Sequence, residues 1–171
     1  MARKTRQVET RLVAEYLMSS YSSYTYLTKV PLGVVPESLQ ADVGYNKALG
    51  VMRPFRPEVD AVVVLPNYLV IIEAKVWSVV NGLGKIPLYK TLVPLTPELK
   101  QYMPRDIIME LVVGWSYANL EHMAEAAGVR VKVFCPAWLQ EVVDSMHKYW
   151  TPEYIAERIR KLSLREYFGI E

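Results

Sequence analysis

The sequence predicts an α/β domain, a sheet with helices on both faces, and three observations carry that prediction. Segments with helical period alternate along the chain with short β-branched runs. Two of those runs, Ala61–Leu65 and Leu69–Ile72, are apolar without a break, as strands covered on both faces are. A chain of 171 residues that is 51% hydrophobic and 22% charged has the size and composition of one globular domain. The expected organisation is therefore a single domain over residues 1–171, with a core over about 5–135 and added helices over about 137–167.

The elements follow in order. Apolar residues at Val8, Leu12, Val13, Tyr16 and Leu17 predict a first helix over Thr5–Ser19. After a serine- and tyrosine-rich stretch, Tyr24–Val35 reads as β-type, and Pro36–Pro57, with Pro, Gly, Asp and Asn at intervals, as a long, mostly irregular connection. Strands over Asp60–Leu65 and Tyr68–Val76 are separated only by Pro66-Asn67, which predicts an antiparallel hairpin. Ser78–Leu92 reads as helical despite Gly82, Gly84 and Pro87, and Pro94 and Pro97 force an excursion after it. Ile107–Val113 reads as a strand, Tyr117–Ala127 as a helix stopped by Gly128, and Val129–Cys135 as a half-buried strand. Helices follow over about Ala137–Tyr149 and after Thr151-Pro152, a cap and a first-turn proline.

Composition excludes several classes. The single cysteine, Cys135, allows no internal disulfide and no cysteine-based zinc framework, and two histidines, His122 and His147, allow no multi-histidine metal site. No apolar run approaches the roughly 20 residues that cross a bilayer, and Met-Ala-Arg-Lys-Thr-Arg is not followed by the apolar stretch of a signal peptide. The expectation is a soluble, cytoplasmic protein with no membrane partner. A net charge of +2 does not announce a nucleic-acid binder, although basic residues crowd three places. These are Arg3, Lys4, Arg6 and Arg11; Arg53 and Arg56; and Arg158, Arg160, Lys161 and Arg165, each group being either a solvated face or a set of phosphate contacts.

The segment Leu69–Trp77 carries the chemistry. Glu73 and Lys75 stand two apart in a strand otherwise apolar, hence on one face. Buried charge is costly unless paired or bound to a metal, so the two are either a plain ion pair near a strand end or part of a site. In the predicted hairpin Asp60, at the opening of the preceding strand, comes beside them. Two carboxylates converging in an apolar setting repel one another unless a cation intervenes, and oxygen ligands suit Mg2+ or Mn2+. On the first helix, with Val8 at zero, the apolar residues span roughly 0° to 180°, Glu9 falls near 100° and Glu15 near 340°. A glutamate centred on an apolar face either snorkels or faces the same site as Asp60 and Glu73.

A glutamate on the first helix, an acidic residue opening a strand and Glu-x-Lys on the next resembles the PD-(D/E)XK nuclease superfamily. Here the pattern reads Glu9, then Pro57-Glu58-Val59-Asp60, then Glu73-Ala74-Lys75. The string Val8-Glu9-Thr10-Arg11-Leu12-Val13 is also similar to the first helix of archaeal Holliday-junction resolvases. The resemblance spans roughly residues 5–93. It implies a restriction-endonuclease-like mixed sheet with an αβββαβ core, and hydrolysis of phosphodiester bonds, in DNA, as an endonuclease or junction resolvase. Asp60 and Glu73 would bind Mg2+ or Mn2+, with Glu9 completing the site directly or through water, and Lys75 would orient the attacking water. Arg6, Arg11, Arg53, Arg56, Lys85 and Tyr89 would contact the DNA backbone, and a homodimer would match a two-stranded substrate. An extra residue between Pro57 and Asp60 leaves Glu58 as a rival ligand, as Glu15 is to Glu9. Lys85 stands where many relatives carry glutamine, and Tyr89 reads equally as core packing. The alternative is a non-catalytic nucleic-acid-binding or structural subunit on the same fold.

Overall fold

The computed structural model describes residues 2–147 and 151–168, with the side chains of residues 2–6, 147, 165, 166 and 168 outside that description. By its internal contacts the chain forms two compact units, Met1–Phe134 and Cys135–Glu171.

In the first unit α1 (Ala2–Ser20) leads to β1 (Thr25–Pro31), α2 (Glu37–Val43), α3 (Tyr45–Met52) and a 3-10 turn over Arg53–Phe55. Next come β2 (Glu58–Val64), β3 (Tyr68–Lys75), α4 (Val79–Leu92), two 3-10 segments (Val93–Leu95 and Pro97–Tyr102), β4 (Asp106–Val113), α5 (Ala118–Ala126) and β5 (Val129–Val133). The five strands lie in the order β1-β2-β3-β4-β5. β1/β2 and β2/β3 are antiparallel, whereas β3/β4 and β4/β5 are parallel. The expected hairpin is present, with Ala61 opposite Ile72 and Val64 opposite Leu69. The molecule is thus α/β, with a mixed sheet flanked by helices.

One stretch departs from expectation. Residues 37–55 are helical rather than irregular. Gly44 and Pro54 punctuate these helices, while Gly50 lies within α3. Gly44, at φ 83°, donates its N–H to Gln40 O to end α2, while its own carbonyl accepts from Ala48 to open α3. Conversely, Gly82, Gly84 and Pro87 do not break α4, which packs on the sheet over Val79, Leu83, Ile86 and Tyr89. Tertiary burial overrides weak local propensity there. Gly128 ends the α5 region as expected, at φ 66°.

The sheet divides the core. Val62, Leu69, Ile71, Leu111 and Val113 join α4 and the Leu120 and Ala124 of α5 in one apolar cluster. The alternate residues Ala61, Val63, Val70, Ile72, Ala74 and Val112 are equally buried and face the side covered by α1, whose Leu12, Val13, Tyr16 and Leu17 are buried. Each fully buried leucine or isoleucine contributes roughly 1.5–3 kcal/mol, so β3, lined on both sides, is firmly fixed. Lys75 ends it, opposite Val113 of β4.

The second unit holds α6 (Ala137–His147) and α7 (Pro152–Phe168). Thr151 caps α7 as expected, its hydroxyl accepting the Tyr154 N–H at 3.3 Å. Among the described residues no helix is long and apolar enough to cross a membrane.

Candidate active site

The site lies where β2 begins and β3 ends. Asp60 and Glu73 come from these two adjacent strands, and the ladder, extended one step beyond Ala61–Ile72, sets them opposite one another. Asp60 Oδ2 accepts the Ala74 N–H at 3.0 Å, which fixes the carboxylate against β3. Its Oδ1 is paired with the ammonium of Lys29. Glu73 is only 3% exposed, and its Oε1 lies 3.0 Å from Lys75 Nζ. Its other oxygen, Oε2, is buried without a hydrogen-bond partner among the described residues.

Lys75 is the hub. Its Nζ donates to Ala74 O at 3.0 Å and pairs with Glu73 Oε1 and, at 3.4 Å, with Glu9 Oε2. Glu9 Oε1 also accepts the Val76 N–H at 3.4 Å, so the first helix reaches the site through Glu9. The Lys75 stem lies against α4 so closely that a Cβ on Gly82 would fall 2.5 Å from Lys75 Cγ. Glycine at 82 is what admits the lysine.

The electrostatics follow from this crowding. Burial, reinforced by the charge of Asp60, raises the Glu73 carboxyl above the usual carboxylate range despite the opposing pull of Lys75 and Lys85. Burial alone would lower Lys75, but Glu73, Glu9 and Asp60 together hold its ammonium above the ordinary lysine value. The Tyr89 phenol is pushed up to about 12, first by burial and then by the charge of Glu73.

The expected residues divide accordingly. Glu9, Asp60, Glu73 and Lys75 come together. Glu58 is paired with Arg53 at 3.3 Å and Glu15 with Arg11 at 2.8 Å, so both rival carboxylates have basic partners. Lys85 is exposed on α4, while Tyr89 is buried within the apolar cluster. Arg56, expected to contact phosphate, is instead 6% exposed and locked by two hydrogen bonds to Glu98, 2.7 and 2.6 Å, and by one to Pro31 O at 2.6 Å. It fastens β1 to the segment after α4. The side chains of Arg3, Lys4, Arg6, His147 and Arg165 lie outside the described residues. His122 is exposed on α5, and Cys135, expected to close the last strand, is half-buried beyond the end of β5.

Among the described residues no group of three or more carboxylate, histidine or cysteine side chains gathers closely enough to hold a metal ion. The donor set is therefore the Asp60–Glu73 pair, with Glu9 turned to Lys75. Two carboxylates fit a hard divalent cation that keeps most of its waters, and the partnerless Glu73 Oε2 is an acceptor such an ion would satisfy.

Two further polar groups escape the sequence pattern. Lys29 reaches Asp60 from β1, where its only signal is a lone charge in an otherwise uncharged β-type segment. On the α1 side, Glu110 is 1% exposed and accepts hydrogen bonds from Tyr16 at 2.6 Å and Tyr21 at 3.2 Å. A lone glutamate in the apolar run Ile107–Val113 was its only trace. No family model matches the chain, and neither does a curated protein or a solved structure.

Proposed function

We propose that the protein is a metal-dependent nuclease of the PD-(D/E)XK type, on a restriction-endonuclease-like fold, that hydrolyses phosphodiester bonds in DNA. The observation that carries this reading is the convergence of Asp60 and Glu73 beside Lys75, with one buried carboxylate oxygen left unsatisfied. Asp60 and Glu73 would hold Mg2+ or Mn2+, which when bound supplies Lewis-acid stabilisation of charge on phosphate oxygen. Lys75, held on three sides, orients the attacking water and offsets negative charge on the phosphate. Glu9 keeps the ammonium aimed, and Lys85 and Arg53, both exposed, offer contacts to the nucleic-acid backbone. A two-fold homodimer would match a two-stranded substrate.

A second reading, a non-catalytic nucleic-acid-binding or structural subunit on the same fold, draws on a different observation. Lys29 and Lys75 already give each of the three carboxylates a counter-charge without any metal. Cleavage of labelled plasmid, linear duplex, single-stranded and four-way-junction DNA, and of an RNA control, separates the readings. Wild type with Mg2+, Mn2+ or EDTA is compared with Asp60→Ala and Lys75→Ala. Metal-dependent cutting lost in both variants supports the nuclease; binding that weakens with salt but no cutting under any condition supports the subunit.

A further inference from the structure

Lys29 has no place in the sequence motif, yet its ammonium sits on a carboxylate of the candidate cation site. Its backbone occupies the left-handed region, at φ 54°, inside a β-strand, where a lysine is uncommon. The β1–β2 partners run Thr28–Ala61 and then Val30–Val59, stepping over Lys29 and Asp60. Arg53 Nη2 holds the Lys29 carbonyl at 3.2 Å, so the turn is fixed from the segment that follows α3. The Lys29 side chain is 30% exposed, against 12% for Asp60 and 4% for Glu73. It reaches the carboxylates from the solvent side, whereas Lys75 is gripped from within by Glu73, Glu9 and Ala74 O.

We propose that Lys29 is the internal counter-ion of the cation site: it holds Asp60 while no divalent cation is bound, and leaves Asp60 when one binds. The inference rests on the metal-site reading above and adds the residue that competes with the ion. An ammonium and a divalent cation cannot both take Asp60 Oδ1, so cation affinity is reduced by the fraction of molecules in which Lys29 is seated. Its flexible stem allows the ammonium to turn outward, where a phosphodiester oxygen is its natural partner. Cation binding and nucleic-acid binding then favour one another, since each draws Lys29 the same way.

Mn2+ binding, measured by calorimetry and by the electron paramagnetic resonance of free Mn2+ without DNA, tests this. Wild type is compared with Lys29→Met, Lys29→Gly, Lys29→Arg and Asp60→Asn, each checked for a wild-type circular dichroism spectrum. Glycine adopts φ 54° freely and serves should the methionine variant not fold. The expected result is Mn2+ binding about tenfold tighter in Lys29→Met and Lys29→Gly, no tighter in Lys29→Arg, and lost in Asp60→Asn. Unchanged or weaker binding in the folded Met or Gly variant, with wild-type binding still dependent on Asp60, overturns the role of Lys29 and leaves the metal site standing. No Mn2+ bound by any of them removes the metal site itself, and the competition with it.

Discussion

Two glycines two residues apart in one helix give a controlled test of how the site is packed. A methyl on Gly82 would lie 2.5 Å from Lys75 Cγ and 3.2 Å from Leu111 Cδ1. Carbon atoms pack at about 3.5–4.0 Å, so the lysine stem must retreat by roughly 1 Å or more. A methyl on Gly84 meets nothing within 4 Å. In a helix interior Gly→Ala ordinarily stabilises by about 1 kcal/mol, whereas forcing an extra carbon into a packed core costs about 1–3 kcal/mol. Gly84→Ala should therefore gain up to about 1 kcal/mol. Gly82→Ala should fall about 1–3 kcal/mol below it, a gap of roughly 3–10 °C in Tm for a chain of this size. Urea denaturation of the two variants measures the difference directly. Gly82→Ala should also weaken cleavage, because moving the Lys75 stem shifts the ammonium from the position in which Glu73 and Glu9 hold it. Equal stabilisation by both substitutions would refute the claim that glycine at 82 makes room for Lys75.

Three further expectations concern other parts of the molecule. Tyr16→Phe removes the 2.6 Å hydrogen bond to buried Glu110 and should destabilise by about 1.5–3 kcal/mol in equilibrium unfolding, with DNA cleavage unchanged. Arg56→Met should destabilise by about 1–3 kcal/mol, because it strands Glu98, while leaving the salt dependence of DNA binding unaltered. The Arg56 guanidinium holds Glu98 below the usual carboxylate value although partial burial opposes it, so that pair stabilises above the unfolded pKa and is lost as pH falls through the folded one. Unfolding of wild type and Arg56→Met between pH 7 and pH 3 should accordingly converge. Lys75 has the opposite sign: its raised pKa contributes stability that is whole below the unfolded value of 10.5 and is lost as pH rises through the folded one. Wild type should then lose stability more steeply than Lys75→Met on the alkaline side, and parallel profiles would contradict the pairing.

Much of the architecture was legible because it rests on patterns that burial enforces. The hairpin of β2 and β3 followed from two apolar runs and a two-residue link; Glu9, Glu73 and Lys75 were found as charges in places that should be apolar, and Asp60 as the acidic opening of the strand that the hairpin lays beside them. What escaped has physical reasons. Residues 37–55 are two short helices with little buried surface, Ala48 being the buried residue of α3 and none being buried in α2, so no apolar stripe announced them. Arg56 looked like a surface cation because sequence spacing cannot show that Glu98, 42 residues on, would close over it. Lys29 reaches Asp60 only through a left-handed turn that neither lysine nor its neighbours signal. The Tyr16–Glu110 contact spans 94 residues and joins α1 to a strand that had no reason, by pattern alone, to face it.

The turn at Lys29 also bears on the open edge of the sheet. β1 is an outer strand of the sheet, and an outer strand is a template on which another chain can continue the ladder. A left-handed residue in mid-strand breaks the flat run of donors and acceptors that such an intruder needs, and Arg53 already occupies the Lys29 carbonyl. At the opposite edge, β5 is five residues long and carries Arg130 and Lys132, charges that would repel a second copy laid alongside. The kink that aims an ammonium inward thus doubles as a guard against edge-to-edge aggregation.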